Sequence, residues 1–494
     1  MQHFIKHLRL FLILIVSLLL FLISCGKKES GSSTSSTTVA TVTCASSRAL
    51  TASTKVPLLV VRVQYANATF QSSETTWADK MFGTSDGQLN HYLDETTYGN
   101  YQFTPVTETS GCTNDGVVTV SMAENHPDTR NYDDKSFGCY AAAAITEADS
   151  DVNFAAYDTD GNDNISVSEL QVIFLVAGGE SATGLNSPGG VWGMATSLWC
   201  DADGDGGVRA ESGEYWMTLD NVSLMGRKDS AYGQNGYSQF GERQGSSSSN
   251  NWDATIGVMA HELGHAFFIL PDLYDTSAIG AGIGYFGLMG SGSWGKKSSS
   301  EKYGATPVHL SAWSKEKIGA CVPQTIDNGT NNITLPAVYQ SSIHAASCGI
   351  YKATTSTSDE YFLFENRSPG GYDEGLYYKI LWGDTNYVPG SITYFTGGVA
   401  IWHVKDILSS CSTLTTNNCE AQSPKLVDLE EANDADLDND SSGGRTTHLF
   451  YSGNNSTFDN SSTPDSKLYD CSSSGISATS ISAAGDNMTL TISK

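Results

Sequence analysis

The chain has 494 residues, of which 39% are hydrophobic, and a formal net charge of -27. That length allows two or three domains, and the hydrophobic fraction excludes wholesale disorder. The acidic balance excludes nucleic-acid binding, which needs a basic face, and suits either a solvated surface or hard cations.

At the N-terminus MQHFIKHLRL carries Lys6 and Arg9 and leads into the apolar run FLILIVSLLLFLIS. This is the charge and hydropathy pattern of a secretory signal. The run ends in Leu22-Ile23-Ser24-Cys25-Gly26, which resembles the lipobox of bacterial lipoproteins. The resemblance implies cleavage before Cys25 and lipidation of Cys25; the alternative is a signal anchor kept as one membrane helix. Residues 1–25 are read as a lipoprotein signal and 26–55, which include GKKESGSSTSSTTVATVT, as a Ser/Thr-rich tether. The expected address is extracytoplasmic, lipid-anchored to the bacterial cell envelope or surface, or released from it.

Ten cysteines fit an exported chain that permits disulfides. Without Cys25 nine remain, an odd number. Cys411 with Cys419 reads as a short loop; Cys112 with Cys139 and Cys321 with Cys348 are plausible pairs that spacing alone does not fix. Cys44 precedes the folded region and is read as an ordinary exposed or unpaired thiol, with an inhibitory metal thiolate as the alternative.

VPLLVVRVQY, from Val56, is β-branched and apolar and predicts a central strand. LNHYLDETTYGNYQF predicts a helix running into a tight turn, and YAAAAITEADSDV a further helix. LQVIFLVAGG, Leu170 to Gly179, predicts a second buried strand. DATIGVMAHELGHAFFIL predicts a helix with Asp253 as its N-cap. Alternation of strands and helices implies an α/β (α+β) domain over 56–320. Beyond Cys321, NNITLPAVY, EYFLFENR, GGVAIWHV and NMTLTISK are short, alternating and separated by Gly, Asn and Ser. That pattern implies an all-β, sandwich-like domain over 321–494.

HELGHAFFILPDLYD places His261 and His265 four apart, on one helix face, where both can point a nitrogen at a single ion. Glu262 stands one step round, where it can take a proton from a water at the metal. Zinc needs a third protein ligand and an open position. Downstream lie Pro271-Asp272-Leu273-Tyr274-Asp275 and YFGLMGSGSWG, which carries Met289.

HELGH, PDLYD and GLMGSGSW together resemble the immune inhibitor A family of secreted bacterial zinc metallopeptidases, which are metzincin-like. SDGQLNHYLDETTYGNYQFTP, TPVHLSAWSKEKIG, EYFLFENR, GGVAIWHV and LVDLEEA extend the likeness over most of residues 56–494. The resemblance implies that His261 and His265 are zinc ligands, that Glu262 is the general base, and that Met289 forms the turn beneath the metal. It implies an aspartate as third ligand, which would be Asp272; Asp275 or a ligand from elsewhere is the alternative. Two departures stand out. Phe268 occupies the place of the family's glycine, and Asp272 follows His265 by seven residues, one more than the family's spacing. A helix without that glycine must end another way.

Asp158 to Glu169 fits a twelve-residue calcium loop, with Asp158, Asp160 and Asn162 as oxygen ligands, the Asn164 carbonyl next, and Glu169 closing it. Asp163 stands where glycine is usual, and aspartate tolerates left-handed backbone. Asp201, Asp203 and Asp205 begin a second such loop, whereas Asp434, Asp436, Asp438 and Asp440 read as a solvated acidic loop. His309 and His403 are read as structural. The functional expectation is an endopeptidase using Zn2+, with structural Ca2+, that takes protein or peptide substrates and meets the membrane through its lipid anchor. The alternative is a surface lipoprotein that binds host or matrix proteins and keeps the zinc helix as scaffold. Glu262 discriminates, since a scaffold needs at most the histidines while hydrolysis also needs the base.

Overall fold

The computed structural model describes residues 50–129, 134–196, 199–201, 214–224, 236–275, 280–340, 348–378, 395–406, 424–433, 437–438 and 443–494. The signal with Cys25, the tether through residue 49, Cys44, Asp203, Asp205, Cys411, Cys419, Asp434, Asp436 and Asp440 lie outside the described residues, and Asp201 is described in its backbone alone. Among the described residues no helix is long and apolar enough to cross a membrane.

In chain order the first strands are β1 (Thr54–Tyr65), β2 (Tyr101–Pro105), β3 (Val117–Met122), β4 (Asn164–Ile165), β5 (Gln171–Glu180), β6 (Gly190–Val191), β7 (Met194–Thr196), β8 (Trp199–Asp201), β9 (Glu214–Trp216), β10 (Thr218–Leu219), β11 (Val222–Leu224), β12 (Tyr237–Ser247) and β13 (Asn250–Asp253). The helices are α1 (Glu74–Phe82), α2 (Leu89–Thr96), α3 (Asp134–Ala148), α4 (Ile256–Ala266) and α5 (Ala312–Lys317). The main sheet runs β13-β12-β5-β1-β2, with β3 also on β1, β6 on β5 and β7 on β12. β1 pairs in parallel with β2, β3 and β5, and β5 in parallel with β12.

Both faces of this sheet are covered, which is why β1 and β5 read as continuous apolar runs. Successive side chains of a strand point to opposite faces. Val56, Leu58 and Val60 of β1, with Ile173 and Leu175 of β5, join the cluster that contains α1, α2 and α4. Leu59, Val61 and Val63, with Val172, Phe174 and Val176, join the cluster that contains α3. The helix carrying His261 therefore lies on one defined face. The tight turn expected after α2 is present, with Tyr98 and Gly99 at positive φ. Asn90 of α2 locks that region to β2: its side chain accepts the Phe103 N–H at 2.7 Å and donates to the Phe103 carbonyl at 2.8 Å.

The second half supplies β14 (Gln324–Thr325), β15 (Thr330–Pro336), β16 (Tyr351–Thr354), β17 (Glu360–Arg367), β18 (Gly398–Lys405), β19 (Val427–Leu429), β20 (Ser477–Thr479) and β21 (Asn487–Ser493). They form two sheets, β14-β16-β17-β18-β19 and β15-β21-β20. Phe362, Phe364, Val399 and Ile401 of the first share a cluster with Ile333, Leu335, Met488, Leu490 and Ile492 of the second. The opposite face of β17 and β18 packs elsewhere: Leu363, Trp402 and Val404 belong to the cluster of α4. The Cys321–Cys348 disulfide expected from sequence is formed, with Cα atoms 5.5 Å apart. Cys112 and Cys139 are each disulfide-bonded, and Cys471 is free and exposed.

A fully buried ionic group ties the two halves together. The Arg367 guanidinium holds Asp373 through two bonds of 2.6 and 2.5 Å and also donates to the Phe286 carbonyl. Glu365 accepts from the Trp402 indole at 3.0 Å and lies 3.4 Å from Lys315. Removing one member of such a group leaves its partners charged and unpaired inside the protein. Arg367→Met should therefore lower unfolding free energy by about 3–5 kcal/mol in urea denaturation, whereas a loss below about 1 kcal/mol would mean the carboxylates find other partners.

Candidate metal and catalytic site

α4 begins at Ile256, later than predicted. Asp253 does not cap it; Asp253 lies in β13 and pairs with Arg243. Thr255 occupies the N-cap without a side-chain capping bond, and the Gly257 N–H is taken by the Gly304 carbonyl at 2.9 Å. Asp253 lies too early because the β13 hairpin strand uses up the residues before the helix.

The helix ends in a way that answers the missing glycine. Phe268 packs edge-on against Tyr101 of β2, ring centroids 5.1 Å apart. The left-handed position moves one residue on, to Ile269, at φ +55°. The Ile269 N–H then bonds the His265 carbonyl at 3.1 Å, and the Leu270 N–H reaches back to the Gly264 carbonyl at 2.9 Å. This closing bond is one residue longer than in the usual glycine-ended turn. The extra residue between His265 and Asp272 is thus absorbed within the turn.

That turn builds the site. The His265 Nδ1 donates to the Leu270 carbonyl at 2.7 Å, and the His261 Nδ1 donates to the Leu288 carbonyl at 2.9 Å. With both Nδ1 atoms engaged as donors, each ring presents its Nε2 lone pair. Both Nε2 atoms face one oxygen, Oδ1 of Asp272, at 3.0 Å each, and lie 3.2 Å from one another. These three side chains form a group able to hold a metal ion. Two neutral imidazoles, one carboxylate and a fixed second layer suit zinc. The other candidate, Asp275, accepts the Gly280 N–H at 2.8 Å.

Burial would raise the Asp272 carboxyl, but the two histidine rings outweigh it and hold it well below the ordinary carboxylate range. Burial lowers the His265 ring, and the Asp272 charge and hydrogen bond more than reverse this. The site thus favours positive charge opposite Asp272, a proton or a cation. Glu262 is buried, and desolvation pushes its carboxyl up to about 8, against the pull of His261. A cation at the triad would bring it down again.

Met289 is buried under the helix: a Cβ at Gly264 would lie 2.5 Å from the Met289 sulfur. A side chain at the glycine of HELGH would therefore collide with the thioether. His309 and His403 lie away from the triad, His309 bonded to Glu95 at 2.9 Å and His403 between Glu360 at 2.9 Å and Glu430 at 3.1 Å. His261 and Glu262 border a cavity of about 250 Å³ whose other walls include Trp192, Val258, Tyr274 and Trp294.

Residues 88–322 match the family model of the immune inhibitor A peptidase M6 catalytic domain. This segment belongs to that family. No curated protein matches the chain at a significant level. The family is zinc-dependent. The matched stretch runs from α2 to just beyond α5 and contains the helix, the turn and Met289, so the metallopeptidase segment carries the triad described above.

In the calcium loop, Asp158, Asp160 and Glu169 bring carboxylate oxygens within 4.8 Å of one another. Asp163 adopts φ +60°. Asn162 bonds Asp160 at 2.8 Å and accepts the Asn164 N–H at 2.8 Å. Glu169 accepts from Thr159 and Ser166, each contact 2.8 Å; burial raises its carboxyl, but these bonds together outweigh burial and hold it at about 2.

The substitution Ile269→Gly should be more stable than Ile269→Ala by about 1 kcal/mol, the reverse of the order inside a helix, because only glycine adopts positive φ freely. Equal stability of the two variants in chemical denaturation would mean that position 269 is not held left-handed.

Proposed function

We propose that the chain is a zinc-dependent endopeptidase that hydrolyses extracellular proteins from a lipid anchor at Cys25. The observation that carries this reading is the pair of rings oriented by backbone carbonyls toward one Asp272 oxygen, with Glu262 beside them at a cavity. A bound zinc supplies Lewis acidity and makes water a nucleophile near neutral pH. The chain's own groups do the rest. His261, His265 and Asp272 would hold the ion, and Met289 packs beneath them. Glu262 takes the proton of the attacking water and delivers it to the leaving amine.

The address is supported by the basic and apolar N-terminal pattern, the Ser24-Cys25-Gly26 stretch and the Ser/Thr-rich tether. The Cys321–Cys348 disulfide suits an oxidising compartment. We take 56–320 as the metzincin-like catalytic domain and 321–494 as a sandwich-like domain, a division supported by the two sheets that share a core in the second half.

The test is casein hydrolysis by the soluble protein lacking the signal and Cys25, beside Glu262→Ala, with zinc content measured in both. The parent should hydrolyse casein, and the variant should lose about 10³-fold or more while binding equal zinc. Equal inactivity of two folded, zinc-loaded proteins would remove general endopeptidase activity and advance the binding-protein alternative.

We also read Asp158, Asp160, Asn162, Asn164 and Glu169 as a structural calcium site. Crowded carboxylates repel, and an ion that binds only the folded loop stabilises it. Saturating calcium should raise the thermal midpoint by several degrees, roughly the effect of 1–3 kcal/mol, and Glu169→Gln should abolish most of that rise. A rise of the same size in the variant would sink this assignment.

A further inference from the structure

Glu180, the last residue of β5, is fully buried, and among the described residues it makes no ion pair. Its carboxylate is instead held by backbone. Oε1 accepts the N–H groups of Ala182 and Gly193, both at 3.0 Å, and Oε2 accepts that of Gly241 at 2.9 Å. These donors come from three segments: the turn after β5, the stretch entering β7, and β12. At Gly241 the register of β12 against β5 shifts, so that N–H falls to the carboxylate rather than to a strand partner. Burying a carboxylate without a counter-ion is costly, and three converging N–H groups offset that cost only while all three segments keep their places.

Two of those segments wall the cavity beside the triad. Ala182, Trp192 and Gly193 line it together with His261 and Glu262. Gly193 also presses on the zinc helix: a Cβ there would lie 2.9 Å from Val258 Cγ1 and 3.3 Å from Glu180 Oε2. Trp192, next to it, is 38% exposed at the rim. Apart from His261 and Glu262, which belong to the metal and catalytic site, the walls are aromatic, aliphatic, serine or glycine residues, so beyond those two the lining offers an entering side chain no counter-charge.

We propose that Glu180 is a positioning residue that brackets Ala182 and Trp192–Gly193 against the zinc helix, and so shapes a pocket for a large apolar substrate side chain next to the cleaved bond. The proposal rests on the peptidase reading. Glu180 makes no hydrogen bond with the triad or with Glu262, and its charge reaches Glu262 only through space, as one of the smaller influences that raise that carboxyl, so its main effect should fall on binding and selectivity rather than on the chemical step.

The test uses two quenched fluorescent peptides with Phe or Ala on both sides of the cleaved bond, the bond being located by mass spectrometry. The wild-type protein should prefer the Phe peptide. Glu180→Gln puts an NH2 where a carboxylate oxygen met N–H groups. It should raise KM for the Phe peptide about tenfold, change kcat less than about threefold, and leave the Ala peptide and zinc content unaltered. A fall in kcat and zinc content at constant KM, unchanged constants in the variant, or no preference in the wild type would each overturn the proposal. If Glu180→Gln does not fold, Trp192→Ala decides: it should lose the Phe preference, and a retained preference overturns the pocket. Binding of the Phe peptide to Glu262→Ala, followed by fluorescence anisotropy, separates the two readings. If no protein hydrolyses either peptide but the Phe peptide binds and Glu180→Gln or Trp192→Ala weakens it, the pocket stands and the peptidase reading falls; no binding and no hydrolysis overturns both.

Discussion

The site depends on two backbone carbonyls, those of Leu270 and Leu288, each accepting a histidine Nδ1–H. A histidine can ligate through either nitrogen, and the hydrogen bond to one decides the other. Here both decisions are made by main chain, so the segments carrying those carbonyls must be held as firmly as the ligands. The first is held by the left-handed turn at Ile269. The second is held from outside the matched peptidase segment. The Leu288 N–H bonds the His309 carbonyl at 3.2 Å, the His309 N–H bonds Asp373 at 3.2 Å, and Asp373 is clamped by Arg367, which also grips the Phe286 carbonyl. The β-rich half is therefore part of what orients His261, whatever else it does.

This coupling explains why polar groups are buried where an apolar core would be cheaper. A buried ion pair adds little net stability compared with well-packed hydrophobic residues. Its geometry, however, is directional. Arg367 fixes a carbonyl and a carboxylate at once, and a leucine at that place would fill space without fixing either. Asn90 performs a similar task in the first half, where its amide matches donor and acceptor of Phe103.

How far the sequence could be read follows from how local each feature is. The strands over 56–65 and 170–179 and the His261/His265 pair are set by periodicity within a few residues, and the observed elements begin and end close to those expected. The start of α4 departs from the expected position because an N-cap residue and the end of a hairpin strand look alike: both favour aspartate near a turn. The choice between Asp272 and Asp275 stayed open because it turns on where the chain leaves the helix, and Ile269 is the last residue that propensity would put at positive φ. Asp163 is the opposite case, since its tolerance of left-handed backbone was foreseeable and is what the loop shows. Glu180 gave no signal at all. Its partners are N–H groups, which every residue but proline has, and Gly193 and Gly241 are far from it in sequence.

The substitution of Phe268 for a glycine has a further consequence for how the site is insulated. A glycine would let the helix end at once but would offer no side chain to pack. Phe268 and its neighbour Phe267 instead meet Tyr101 and Phe103 of β2 in edge-on contacts of 5.1 to 5.9 Å. Such contacts contribute about 0.5–1.5 kcal/mol beyond area burial, comparable with the roughly 1–2 kcal/mol that an L-residue loses in left-handed backbone. The aromatic packing thus offsets the strained position at Ile269. The packed rings directly precede the turn that carries the Leu270 carbonyl bonded by His265, so the exchange of glycine for phenylalanine trades backbone freedom for fixed packing next to that turn.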